Sequence, residues 1–437
     1  MKAFGALRWL ILALAVTACH GMLDVTDPTK VQDSDLANNA GAKGQYTAAV
    51  LFFQRGLAFA ASTSSVFADE RTYETPAIPN PSYANRNINY DRHDGDAFVT
   101  GATYRFIDDP FLSQVASAVW RLSSGIYAMR QNGDSATKDD YLTDLFAMRG
   151  AIIVQIAENV CSGFPINDVD ENNLPVLSQP YSTDQALTLA LAQVDSALAH
   201  AKDTTRFINF ARVIKGRTLL DLGQWAAADA AVQQVPTDFV YKTYSETGNP
   251  FWQPRINNGG YPVADTEGTN GLPFVSAHDP RASTTYKVRR ALVSGDSLYD
   301  QQKYANASAP MVIASGIEAR LIQAEVALHT ATADSAVAIL NALRATVSGL
   351  DPLDVKTTLD AQVNQLYYER AFWLWLTGHR LGDLRRLVRF YNRSVASVYP
   401  TGPYWAGGTY GTSTAIPFIA AAYQQTNPNI TSGCTAP

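Results

Sequence analysis

Apolar residues recur at spacings of three and four along most of the chain, which predicts a mainly helical protein. The strongest instance is 364–387. Leu366, Arg370, Trp373 and Leu376 follow one helical face, and Phe372 and Trp375 widen it. Gly378 stands where a helix end wants a positive φ. Asp383, Leu384, Arg385 and Arg386 then suit a second, short, salt-bridged helix. The chemistry of Glu369, Arg370, Arg380 and Asp383 points to a structural ion network. Glu and Arg without a nucleophile or metal ligand beside them make a poor acid–base site.

The same periodicity predicts a helix over 31–67, capped by Asp33 or Ser34, with Phe52, Phe53, Leu57 and Phe59 in the core. It predicts another over 106–132, with Val115, Val119, Trp120, Leu122 and Ile126 on its apolar face. A third spans 142–161, and Asp184 caps a fourth over 185–201. Residues 207–236 match a tetratricopeptide helix pair, with Gly216 and Ala228 as small residues twelve apart and Gly223 and Trp225 in the turn. The twelve-residue offset recurs from Ala324 to Ala336. Small residues there let paired helices approach closely.

Two stretches break the pattern. Residues 69–104 carry prolines and asparagines with few aliphatics, a long loop holding Tyr73, Tyr83, Tyr90, Arg71, Arg86, Arg92 and His93. Residues 237–310 hold Tyr241, Tyr244, Phe251, Trp252, Tyr261, Phe274, Tyr286, Tyr299 and Tyr304 among Gly, Asn and Pro, with room for short strands. Rings in loops either fill the underside of those loops or offer flat faces to a ligand. Phe251 and Trp252, flanked by Pro250 and Pro254, read as an exposed pair. The candidate ligand residues are therefore Tyr73, Tyr83, Tyr90, Arg92, Phe251 and Trp252.

The chain's start adds an address. Lys2 and Arg8 precede a short apolar run, Trp9 to Val16, and Val16-Thr17-Ala18-Cys19 resembles a bacterial lipobox. Residues 1–18 read as a lipoprotein signal and Cys19 as the lipidated first residue of the mature chain, with ordinary secretory cleavage near Ala18 as the alternative. The segment holds two basic residues and no acid, so its removal moves the formal charge from −6 to −8. That acidity argues against a nucleic-acid partner. Of three cysteines, Cys161 and Cys434 remain after lipidation, able to form one disulfide or stay as free thiols. The motifs of common hydrolases are missing and the six histidines are scattered, so no catalytic residue, metal site or cofactor is assigned.

Several stretches also resemble one family. Glu369, Arg370, Leu374, Trp375, Gly378, Arg380, Asp383, Leu384, Arg385 and Arg386 match the C-terminal signature of the SusD/RagB nutrient-binding outer-membrane lipoproteins. Phe372-Trp373 replaces a usual polar pair and Thr377 a usual acid. Leu23-Asp-Val, Asp279-Pro-Arg281, Glu318 to Ala327, Leu340 to Arg344, Ile416-Pro417 and Asn427-Pro-Asn429 resemble further family markers. The resemblance implies a single SusD-like domain over 19–437. Its parts would be N-terminal helices and first repeats (31–236), an aromatic loop region (237–310), a C-terminal repeat and hairpin (311–390) and a tail (391–437). It also implies a lipid-anchored protein of the outer membrane, exposed at the cell surface. Such a protein binds oligosaccharides or peptides and delivers them to a SusC-like TonB-dependent transporter. The alternatives are a scaffold using its repeats for protein contacts and a secreted glycan hydrolase.

Overall fold

The structure, a computed structural model, describes residues 36–72, 86, 108–202, 204–244, 248–252, 261–289, 297–330, 332–404, 408–418 and 427–431. Eleven α-helices dominate these residues, with eight short strands. The body is a run of antiparallel helix pairs. Helix α1 (Asn39–Phe67) packs on α2 (Asp108–Asn132), α3 (Lys138–Asn159) on α4 (Thr183–His200), and α5 (Thr205–Asp221) on α6 (Trp225–Val232). Helix α7 (Gly316–Thr330) packs on α8 (Ala333–Arg344). Each pair then stacks on the next, through α2 with α3, α4 with α5 and α6 with α7. One continuous core results, reaching from Phe53 and Leu122 to Ile322 and Leu366.

Small residues set the closeness of the pairs, as their spacing predicts. A methyl added at Gly216 would lie 2.4 Å from Val232 Cγ1 and 3.4 Å from the Ala228 carbonyl oxygen. Gly216→Ala is therefore expected to lower stability by about 1–3 kcal/mol. Adding Val232→Ala, which removes the clashing methyl, should recover part of the loss in a urea titration. Additive losses would show that the contact does not limit the approach of α5 and α6. Gly150 makes the same kind of approach to Val194 and Ala190. Its partner helix lies much further along the chain because strands β1 (Phe164–Pro165), β2 (Asp168–Val169), β3 (Pro175–Val176) and β4 (Pro180–Tyr181) stand between α3 and α4.

Some boundaries differ from those expected. Helix α1 starts at Asn39, with the Asn38 side chain accepting from Gly41 N at 2.9 Å; Asp33 and Ser34 lie outside the described residues. Phe53 and Leu57 are core, while Phe52 and Phe59 are partly buried against it. Ser182, not Asp184, caps α4, through a full capping box with Gln185. Trp120 is 37% exposed. Val115, Val119, Leu122 and Ile126 already fill the inward stripe, and position 120 falls about 100° round from 119. There the ring lies 5.1 Å from the Arg121 guanidinium.

The irregular region leaves and re-enters the body at one place. Strand β5 (Val240–Thr243) pairs antiparallel with β8 (Met311–Ser315). Between them lie a 3₁₀ turn, Pro280–Ala282, and the antiparallel hairpin of β6 (Thr284–Arg289) and β7 (Ser297–Gln301). After α8, the chain forms α9 (Leu359–Trp373), α10 (Arg380–Phe390) and the short α11 (Val395–Val398). No helix among the described residues is long and apolar enough to cross a membrane.

Candidate functional site

The α9–α10 hairpin is the anchor beneath the irregular region. Helix α9 ends at Trp373, earlier than the expected stop at Gly378. The chain turns through Leu376 at φ +55° and Gly378 at φ +81°. Leu376 tolerates this conformation because its side chain is fully buried and its N–H donates to the Glu70 carboxylate at 2.7 Å. A Cβ on Gly378 would meet Ala61 and the Gln155 side-chain oxygen at 3.0–3.2 Å.

The expected ion network exists but is divided. Arg370 grips Asp383 through two hydrogen bonds of 2.8 and 2.9 Å, and Arg386 adds one of 2.6 Å. Arg386 also donates to Asp221 at 2.7 Å and to Glu325 at 3.3 Å. Glu369 belongs to a separate set. It accepts from Arg281 and Arg344, each at 2.6 Å. Asp279 holds Arg281 in place, accepting from its backbone N–H and its guanidinium. The Asp279-Pro-Arg281 marker thus reaches the hairpin through Glu369. Arg380 forms a third environment, where its charge favours ionisation of Asp69 and Glu70. Burial nonetheless pushes Glu70 up to about 7 and Lys303, beside the Trp375 carbonyl, down to about 8. Asp69, Glu70 and Arg380 are buried and Lys303 is half-buried, and their geometry is that of a structural core.

Most rings of the 237–310 region also serve the core. Phe251, expected at the surface, is fully buried. The Asn249 side chain accepts from Phe251 N at 2.9 Å and donates to the Ala309 carbonyl, which turns the ring inward. There it stacks on Tyr304 at 5.0 Å, with the Arg71 guanidinium 4.7 Å from its centre. Trp252 is half-buried. Tyr241, Phe274 and Tyr304 are buried as well. The most exposed of these rings are Tyr244, 58% exposed, and Tyr286, 53% exposed. Tyr286 pairs in register with the half-buried Tyr299, edge to face, at 5.8 Å and 79°.

The two irregular stretches meet. Arg71 bridges to Val263, Thr72 N donates to the Pro262 carbonyl, and Val263 N donates to the Tyr299 carbonyl. The 69–104 stretch therefore departs beside the β6–β7 hairpin. Arg86 is buried against the C-terminal segment, donating to the Ser413 carbonyl and lying 4.5 Å from the Tyr399 ring centre. Tyr73, Tyr83, Tyr90 and Arg92 lie outside the described residues, as do Cys19 and Cys434. Cys161 is disulfide-bonded. Among the described residues no group of three or more His, Cys, Asp or Glu is placed to hold a metal ion.

No family model matches this sequence, and no curated protein matches it. Solved structures do match the fold. A SusD superfamily protein from Bacteroides thetaiotaomicron aligns over 91% of this chain and 100% of its own, at 13% identity and TM-score 0.62. A SusD superfamily protein from Parabacteroides distasonis aligns over 92% and 99%, at 12% identity and TM-score 0.63. Surface glycan-binding protein A from Bacteroides uniformis aligns over 90% and 99%, at 13% identity and TM-score 0.62. The chain has the mainly helical SusD-like fold, as the resemblance of its motifs implied.

Proposed function

We propose that this protein captures glycans at the cell surface and passes them to a SusC-like TonB-dependent transporter without cleaving them. It would be held to the outer membrane by lipid on Cys19. The observation that carries the reading is a fold shared, over nine-tenths of the chain, with a protein named for surface glycan binding. The structure supports it with aromatic rings left at the surface of an otherwise core-directed region. Stacking on the C–H face of a sugar ring is the contact such rings make well. The helix-pair body supplies a rigid support, and the α9–α10 hairpin fastens the irregular region to it.

One preparation tests this reading. The full-length protein, extracted from its own membranes with detergent, is expected to co-purify with a β-barrel transporter. It should retain oligosaccharides at micromolar to millimolar Kd, equivalent to about 4–8 kcal/mol of binding free energy, and release no shortened product. Retention of peptides but no glycan would replace the ligand class. Release of shortened glycan would replace capture with hydrolysis. A protein that binds the transporter and no nutrient would be a scaffold.

A further inference from the structure

The first helix pair differs in charge from the rest of the chain. Helix α1 and residues 111–132 of α2 carry Lys43, Arg55, Arg121 and Arg130 and no acid, in a sequence of net charge −6. The Arg121 guanidinium lies 5.1 Å from the ring centres of both Phe52 and Trp120. It makes no hydrogen bond or ion pair among the described residues. Two rings therefore hold an unneutralised cation in place, beside an indole that the core does not use.

The β2–β3 ladder stands next to this patch. Strand β2 packs on α2, and Arg149 of α3 ties the two together. Its Nε donates to Ser123 Oγ at 3.0 Å, and its Nη2 lies 2.8 Å from the Asp168 carboxylate. Trp120 precedes Ser123 by three residues, so both lie on one side of α2, about a turn apart. Val176 pairs with Asp168 across the ladder and shares its face, and alternation brings Leu174 to the same face. Leu174 is 59% exposed and Val176 45%. The tip of the ladder carries the opposite charge from the helix pair. Asp170 and the exposed Glu171 have no cation partner among the described residues.

One side of the molecule thus presents a basic, aromatic half and an acidic, aliphatic half. Exposed apolar side chains gathered in this way mark a docking surface. Leu174 and Val176 offer a sugar no hydrogen bond, and anionic lipid headgroups would be repelled by Asp170 and Glu171. A surface that carries both complementary halves suits a two-fold contact between identical chains, where each half meets its opposite. We propose that a second copy of this chain docks here, with α2 of each copy against the β2–β3 tip of the other. Trp120 covers Leu174 and Val176 of the second copy, and Arg121 meets its Glu171. Tryptophan and arginine are the side chains that most often dominate such contacts. Here the rings already fix the guanidinium, which lowers the cost of ordering it on binding.

Sedimentation equilibrium of the full-length protein, extracted from its own membranes in density-matched detergent, tests this. The expected result is a reversible monomer–dimer equilibrium. Trp120→Ala, Arg121→Glu and Glu171→Arg should each weaken the dimer by at least about tenfold. The double variant Arg121→Glu/Glu171→Arg should recover it, because it exchanges the two charges across the axis. The three side chains are exposed or half-buried, so the melting temperature should stay unchanged. A protein that remains monomeric at the highest concentration reached overturns the proposal. So does a dimer indifferent to these substitutions, or one that the charge exchange fails to restore. If the protein is monomeric and Trp120→Ala instead abolishes co-purification of a transporter, the face belongs to that partner and the second copy is excluded. None of these outcomes bears on glycan binding, which is measured separately.

Discussion

Asp383→Ala should destabilise the protein by about 3–5 kcal/mol, the range for removing one member of a buried ion pair. Asp383, Arg370 and Arg386 each expose 3% or less of their side chains. Removing the carboxylate leaves Arg370 with Glu325 at 3.6 Å as its remaining ion-pair partner among the described residues. Arg386 keeps Asp221 and Glu325, so the main cost falls on Arg370. The double variant Arg370→Met/Asp383→Leu should recover most of the loss, because replacing both charges with apolar groups of similar volume is close to neutral. Urea unfolding at pH 7 measures both. A double variant no better than the single would mean that the pair's worth lies in aligning the turn at Leu376.

The same pair sets an acid limit. Burial opposes ionisation of Asp383, yet Arg370 and Arg386 hold its carboxyl well below the ordinary range. Glu318 is likewise brought down to about 2, burial being outweighed by Arg217 and His379. A depressed native pKa stabilises the fold above the unfolded value, near pH 4, and that contribution is lost as pH falls through the native value. The gap between wild type and Asp383→Ala should therefore be full at pH 7 and shrink below about pH 4.

These contacts show what could be read from the chain and what could not. The helix pairs were legible because 3.6-residue periodicity and the twelve-residue offset are local patterns. The pair formed by α3 and α4 follows the same packing rule, yet no offset reveals it, since two nested two-stranded ladders, β1 with β4 and β2 with β3, lengthen the connection. Partner choice was less accessible. Glu369 sits next to Arg370 in the chain, but successive helical residues point about 100° apart, and its partners are Arg281 and Arg344. Phe251 lies among prolines and asparagines, a context that reads as surface. The acceptors and rings that turn it inward come from Asn249 and from Tyr304, more than fifty residues on. Tyr286 was one of nine aromatics without distinction. The alternation of Thr284-Thr-Tyr-Lys-Val-Arg289 offered the only hint of a strand, and no sequence rule marks its pairing with Ser297–Gln301.

At pH 8, Asp144→Asn should stabilise the protein, by about 2–3 kcal/mol. Asp144 on α3 is buried, and its two oxygens accept from Tyr46 of α1 at 2.7 Å and Tyr241 of β5 at 2.8 Å. Burial pushes its carboxyl up to about 6, and the two phenols and Arg206 offset only part of that effect. A carboxyl with a raised native pKa contributes its full stability below the unfolded pKa of about 3.9 and loses it as pH rises through the native value. Above pH 6 the fold therefore carries a charge that the unfolded chain hydrates more cheaply. An asparagine keeps the shape and removes that charge. Its oxygen can still accept from Tyr241, and its amide can donate to the Tyr46 oxygen. Tyr46 is only half-buried, so its hydroxyl proton can turn to water. The advantage of Asp144→Asn should fall away between pH 7 and pH 4, where the native aspartic acid is protonated and neutral. Guanidinium unfolding at pH 4, 6 and 8 decides it. A gap that stays constant across that range would mean that Asp144 is as well solvated by its two tyrosines in the fold as by water outside it.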